Sequence, residues 1–434
     1  MTRISRRQFS QLGALFPFLG TSLGRAPFVR SGPLRDRPRL AVIGVWNRGR
    51  SNLEGVLDAE GEVKLLADVD SKHLGLAAKL VADRGQAAPQ LMADWRAALE
   101  RPRELDGVVI STPDHLHAPI ASAALARGLA VYCEKPLAHT VEEARLLQKL
   151  AHKAKVATQM GIQIHAGDNY RRVVEAVRGG AIGDVREVHV LCSKSWSDGR
   201  YGEAKPVPEQ LAFDLWLGPA AERPYTEGLH PAWWRKFWDF GTGTVGDMAC
   251  HWVDLVHWAL ELGRPSAVTS VGPEVHPDGT PAWLHTTWEH PAAKGRPAVA
   301  VHWWDGGKRP EIAREGWNDC HIWVGSKGRI YSTYSKHEVV LDDPDAAYEA
   351  PKQTLAKSRG HYVEWIQEIQ GGERTSCPFD YSAPLTEAVL LATVAFRAGA
   401  PLKVDVKSGA VTGADGVEAL LTKSYRAGFG LTTA

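Results

Sequence analysis

At 434 residues, with 44% hydrophobic and 23% charged side chains, the chain is long enough for two domains and has the composition of a soluble globular protein, neither fibrous nor disordered. A formal net charge of +1, with no basic cluster beyond the extreme N-terminus, argues against nucleic acid or an anionic membrane as partner. Five widely spaced cysteines with no C-x-x-C pair argue against thiolate metal binding; most are expected as buried small apolar groups.

The first element is Ser5-Arg6-Arg7-Gln8-Phe9-Ser10-Gln11 followed by a mostly apolar run over 12–24, the pattern of a twin-arginine export signal. That run is too short to span a bilayer. An unstructured basic tail is the alternative. Residues 1–30 are set apart from the fold, and the rest of the chain is expected in the periplasm or another extracytoplasmic space, without a membrane span.

From residue 37 the pattern alternates strand and helix. Strands are predicted over 40–45, 63–69, 107–110, 130–132 and 156–160, with helices over 51–57, 74–82, 118–126 and 141–152. Such alternation implies a doubly wound parallel sheet over 37–160. After Gly161 a helix over 169–178 gives way to strand-like runs over 185–191, 267–271, 298–304 and 322–324. This predicts a second, α+β domain over 161–434 with an open, largely antiparallel sheet. A late apolar helix over 384–398 is expected to pack back on the first domain. Thirteen of the sixteen tryptophans fall between Trp196 and Trp323, an enrichment that suits sugar stacking or, alternatively, the core and a subunit interface.

Three segments carry chemistry. Gly44-Val45-Trp46-Asn47-Arg48-Gly49 follows the first strand as a Gly-x-Gly-x-x-Gly loop does, with Trp46 at the middle glycine. Asp68, about twenty residues on, is placed to accept from ribose hydroxyls and to repel a 2′-phosphate, favouring NAD over NADP. The alternative for Asp68 is a turn cap. The second segment, Val131-Tyr132-Cys133-Glu134-Lys135-Pro136, carries Lys135 to the carboxyl edge of the sheet, where it can act on a substrate hydroxyl or remain a solvated strand end. In the third, Gly246-Asp247-Met248-Ala249-Cys250-His251, helical i, i+4 spacing lets Asp247 orient His251 as a general base. Asp247, His251 and Asp254 as metal ligands, or a capping Asp with a core His, are the alternatives; the reading adopted has no metal.

Together with Ser111-Thr112-Pro113-Asp114-His115-Leu116-His117, these segments resemble, in order and spacing, the glucose-fructose oxidoreductase, inositol dehydrogenase and rhizopine catabolism family (Gfo/Idh/MocA), from about residue 37 onward. The resemblance implies an N-terminal Rossmann domain for NAD and a C-terminal domain for a carbohydrate and for homo-oligomer contacts. It further implies that Lys135 orients the reacting hydroxyl, Asp247 supports it and His251 is the acid/base. Gly44, Trp46, Asn47, Arg48, Gly49, Asp68, Ser111, Thr112, Pro113, His115, His117, Glu134, Lys135, Pro136 and Gln163 would bind the cofactor. His165, Tyr170, Trp234, Arg235, Trp238, Trp304 and Asp305 are the candidate sugar contacts, and the stretches around His165 and Trp304 resemble the exported branch. The expected activity is hydride transfer from a sugar to NAD. Glycoside cleavage by transient oxidation is the alternative, followed by a non-catalytic sugar-binding role.

Overall fold

In the computed structural model, which describes residues 36–433 apart from 294, the chain enters its first sheet almost at once. The twin-arginine-like segment lies outside the described residues. Strand β1 (Arg39–Ile43) leads into helix α1 (Arg48–Asp58), then β2 (Glu62–Ala67), α2 (Ser71–Asp83), β3 (Gln90–Met92) and α3 (Trp95–Ala98). There follow β4 (Gly107–Ile110), α4 (Asp114–Ala126), β5 (Ala130–Cys133), α5 (Val141–Ala154) and β6 (Thr158–Met160). All six strands are parallel, in the order β3-β2-β1-β4-β5-β6. The order reverses between β1 and β4, the switch point at which a doubly wound sheet opens a crevice beyond its carboxyl ends. Helices cover both faces, which is why β4 and β5 are apolar and buried along their whole length rather than alternating.

The second part begins with α6 (Asp168–Arg178), β7 (Val185–Leu191), the short α7 (Phe213–Leu217) and α8 (Gly243–Leu260). It continues through β8 (Ala267–Val271), β9 (His285–His290), β10 (Val299–Trp304), β11 (Cys320–Gly325), β12 (Gly328–Ser332) and β13 (His337–Leu341). Helices α9 (His361–Ile369) and α10 (Phe379–Ala398), strands β14 (Leu402–Val404) and β15 (Val411–Thr412) and the turn α11 (Val417–Leu420) complete it. The nine strands run β13-β12-β11-β7-β10-β9-β8-β14-β15, with β7 and β10 parallel and the other described pairs antiparallel. The chain is thus α/β, a parallel Rossmann sheet followed by a mixed, mostly antiparallel one.

One face of the second sheet shares a core with α8 and α10 through Val188, Val190, Val301, Trp288, Trp303 and Trp323. Those three indoles are each less than 2% exposed, and at roughly 200 Å² apiece each contributes about 5 kcal/mol of burial. Helix α10 packs against α5, α8 and β8. It starts at Phe379 and α4 at Asp114, earlier than the prolines Pro384 and Pro119 suggest, because both prolines lie inside the helices. An internal proline removes one backbone hydrogen bond, at about 3 kcal/mol; near-complete burial of both helices offsets it. All five cysteines are buried and free.

Candidate active site

The turn after β1 fixes the upper wall of the site. Gly44 sits at φ +80, and a Cβ there would meet the Ser111 carbonyl oxygen at 2.6 Å; one on Gly49 would meet the Gly44 oxygen at 2.1 Å. Only glycine allows this turn to press against the β4 loop. No side chain caps α1, because Asn47 is at φ 50, so the helix N-terminus is left for an anionic ligand. The Trp46 indole does not fill the loop: it lies to one side, stacked on His73 with ring centres 5.3 Å apart. Asp68, just past β2, accepts from the Val45 amide (2.8 Å) and the Asp70 amide (2.9 Å). Burial raises its pKa against those two hydrogen bonds.

Below this turn lies a cavity of about 470 Å³ at the carboxyl edge of the Rossmann sheet, a volume typical of small-molecule sites. Among the residues expected at the site, Gly44, Trp46, Asn47, Arg48, Asp68, Ser111, Thr112, Pro113, His117, Glu134, Lys135, Gln163, Trp234, Arg235, Asp247 and His251 line it. Glu134, 4% exposed, accepts from Asn52 of α1 (3.0 Å) and from Gln163 (2.8 Å), tying α1 to the turn after β6. The His117 ring nitrogens lie 2.7 and 2.9 Å from the Pro136 and Thr112 carbonyl oxygens and lace the β4 and β5 edges together.

Lys135 reaches across to α8, its Nζ donating to Asp247 Oδ1 (2.5 Å) and to the Asp247 carbonyl (2.8 Å). Arg235 Nε also donates to Asp247 Oδ1 (3.2 Å), and its guanidinium lies over the Trp234 ring at 4.2 Å. Burial opposes the Asp247 charge, but Lys135 and Arg235 win and hold its carboxyl well below the usual range. The expected hydrogen bond between the Asp247 carboxylate and the His251 ring is not made; Asp247 Oδ1 accepts from Lys135 and Arg235 instead. Burial, then the Lys135 charge, push His251 well below the ordinary histidine range, so the ring is neutral. Its Nδ1 and the Thr112 Oγ1 are buried without hydrogen-bond partners among the described residues. Both residues line the cavity, and buried polar atoms without partners are costly. With the glycine turn and the uncapped helix, they fit a dinucleotide and a polar substrate.

Several expected residues are not brought to the cavity. Gly49 lies beneath the turn, and Pro136 serves through its carbonyl. His115 faces away, its Nε2 3.0 Å from the Trp216 carbonyl oxygen, and burial pushes it down to about 3. His165 is stacked on Trp258 at 4.0 Å with its Nδ1 against Asp254 (2.9 Å). Because Asp254 is engaged there and by Tyr381, it does not join Asp247 and His251 in a metal-ligand set. The Tyr170 hydroxyl donates to the His251 carbonyl (2.9 Å) and braces α8 from behind. Trp238 donates to the His276 carbonyl (3.0 Å) and packs toward Phe396. Trp304 stacks on His285 at 3.6 Å on the second sheet, and buried Asp305 accepts from the Leu284 amide and the Trp303 indole.

Sequence reasoning missed Asp114, His73, Lys194, Trp196, His230 and Tyr334, all in the cavity wall. Asp114 stood inside the quoted Thr-Pro-Asp-His segment. Its burial raises its pKa to about 7, Arg235 opposing, and Thr242 donates to its Oδ2 (2.9 Å). His73 comes from α2, Lys194, Trp196 and His230 from the long β7–α8 connection, and Tyr334 from the β12–β13 turn, none of them marked by a local pattern.

Comparison with known proteins agrees with this architecture. Residues 31–162 match a model described as oxidoreductase family, NAD-binding Rossmann fold, and residues 189–431 one described as oxidoreductase family, C-terminal alpha/beta domain. A glycosyl hydrolase family 109 protein of Streptomyces filamentosus is 30% identical over 39% of this chain and 34% of its own length. The levoglucosan dehydrogenase of Pseudarthrobacter phenanthrenivorans is 28% identical over 41% and 38%. The matches thus span little more than a third of those relatives. Among solved structures, the WlbA dehydrogenase of Bordetella pertussis, in complex with NADH and UDP-GlcNAcA, superimposes with a TM-score of 0.59 at 16% identity, covering 86% of this chain and all (100%) of that one. The aldose-aldose oxidoreductase of Caulobacter crescentus gives 0.57 at 17% identity, covering 85% and 100%; these two likenesses speak for the fold. With both of its domain models matched in order along the chain, this protein belongs to the Gfo/Idh/MocA oxidoreductase family.

Proposed function

We propose that this protein oxidises a carbohydrate hydroxyl with NAD in the cavity between the Gly44 turn and α8. The observation that carries the reading is Lys135, fixed by Asp247 beside a neutral His251 in the wall of that cavity. A lysine ammonium has three N–H donors, and two are spent on Asp247. The third is left for a substrate oxygen, which Lys135 would steady as its proton leaves for a ring nitrogen of His251. Asp247, held ionised by Lys135 and Arg235, keeps the lysine in place. The dinucleotide supplies the hydride acceptor when bound; the Gly44 turn, the α1 N-terminus and Asp68 are the residues that would hold it.

A second reading, glycoside cleavage by transient oxidation, draws support from the family 109 glycosyl hydrolase relatives. It needs no pair of catalytic carboxylates, and Asp114, poised near pH 7, is a proton source for a leaving aglycone. Export by the twin-arginine route, supported by Arg6-Arg7 and the apolar run after them, belongs to the same proposal. So does a homo-oligomer. An exported enzyme without access to a free NAD pool would keep its nucleotide through each turnover. A screen of sugars and aryl glycosides on wild type and Lys135→Ala separates the readings. A dehydrogenase changes nicotinamide absorbance with substrate, a hydrolase releases aglycone without net change, and equal turnover by the two proteins removes Lys135 from the mechanism.

A further inference from the structure

The same cavity wall carries a cluster that the chemistry above does not use. Asp70 caps α2, its Oδ1 accepting from the amides of Lys72 (2.9 Å) and His73 (3.3 Å). Those bonds fix the carboxylate and leave Oδ2, which lies 3.1 Å from His230 Nε2 and 3.8 Å from His73 Nδ1. All three donor atoms lie within 4.8 Å of one another. A tetrahedral cation with bonds of about 2.0–2.1 Å sets its ligand atoms roughly 3.3 Å apart, so a shift of well under an ångström per ligand closes the site. At 3.8 Å no hydrogen bond forms, and His73 Nδ1 is buried with no partner among the described residues.

We propose that Asp70 Oδ2, His73 Nδ1 and His230 Nε2 bind a divalent first-row transition cation of the zinc type. Two imidazoles and one carboxylate suit such an ion, and both histidines line the cavity. A second three-residue cluster, Glu187, His189 and His302, is a useful contrast. There the Trp304 indole, a donor only, points at His189 Nδ1 (3.1 Å). The neutral ring then carries its proton on Nε2, donates it to Glu187 (2.8 Å), and has no lone pair for a cation. No such donor blocks His73.

The consequence is mechanical. His230 belongs to the β7–α8 connection, which runs along the sheet edge at α2: the Ala212 amide donates to the Val69 carbonyl (2.8 Å) and the Ser71 amide to that of Gln210 (3.0 Å). A cation would staple this connection to α2 beside the cavity mouth, joining ligands 160 residues apart.

The test uses untagged full-length protein, stripped with a chelator and titrated with zinc by calorimetry against a competing dye. One zinc per chain is expected in wild type, with affinity reduced about 100-fold or more in His73→Ala and in His230→Ala, and unchanged in His302→Ala. Cobalt(II) should give the intense visible bands of a four-coordinate site in wild type alone of the first three proteins. Zinc should slow proteolysis of the 205–232 segment in wild type and not in the two variants. Cooperative melting of each variant checks that it still folds. Wild type without a saturable zinc site, or a site that survives both substitutions, overturns the proposal. Because zinc is read without nucleotide, failure here is distinct from failure of the NAD reading.

Discussion

Histidines and tryptophans gather at two places in this chain, the cavity at the Rossmann edge and the outer face of the second sheet. In both, burial pushes imidazole pKa values down: His251 and His230 at the first, His189, His285 and His302 at the second, the last two to about 4. A shifted pKa therefore does not tell them apart. Pairing does. On the sheet, Trp304 donates to His189, Thr287 meets His302 at 2.9 Å, His285 stacks on Trp304, and of these rings only His285 keeps a buried nitrogen without a partner. In the cavity, Thr112 Oγ1, His251 Nδ1 and His73 Nδ1 stay unpaired around one space, beside a lysine with a donor to spare. Here the residues with unmet valences line one cavity together with a lysine that has a donor to spare, whereas the sheet's rings are largely satisfied by one another.

Substitutions sharpen this contrast, and the largest effect belongs to Lys135. Lys135→Ala should lower kcat/KM by about 10³-fold, since it removes both the hydroxyl donor and the charge beside Asp247; steady-state kinetics on the best sugar found reads this directly. His251→Asn should cost about 10²-fold, mainly in kcat, and the wild-type acid limb should fall below the ordinary histidine pKa because the ring is already neutral. Gly44→Ala forces a side chain into φ +80 against the Ser111 carbonyl; a strain of roughly 1–3 kcal/mol should weaken NAD binding about tenfold or more in a fluorescence titration.

Asp114 gives a pH test. Its folded pKa is near 7 against an ordinary 3.8, so between those values the folded chain holds a proton that the unfolded chain has lost. Stability should therefore fall as pH rises from about 4 to about 7, and Asp114→Asn should flatten that slope in denaturant melts; an unchanged slope removes Asp114 as its source. Trp46→Gly should leave NAD affinity unchanged or slightly tighter, because the indole lies beside the loop on His73. The smallest effect is expected on the sheet, where Trp304→Ala should keep kcat/KM within about twofold.

Much of this was legible in the sequence. The Rossmann half could be read because strands buried on both faces are continuous apolar runs, and Lys135, Asp247 and His251 because their spacing along strand and helix is local. Strand β9, His-Thr-Thr-Trp-Glu-His, escaped notice: its buried face carries polar Thr286 and His290 on either side of Trp288, so no apolar alternation marks it. The site's second wall was hidden for a different reason. His230 and Trp196 come from the β7–α8 connection, and only tertiary packing brings His230 to Asp70 at α2 and Trp196 to Thr244 at the start of α8. Trp304 and His165 misled because an indole or imidazole is as suited to stacking on its own neighbours as on a sugar.

The most direct measurement is the nucleotide content of the purified protein. Denaturing it, quantifying released NAD by mass spectrometry, and titrating added NAD into any nucleotide-free fraction should together give one NAD per chain. A protein that releases none and binds none when it is supplied would contradict the assignment of the Lys135 cavity to hydride transfer.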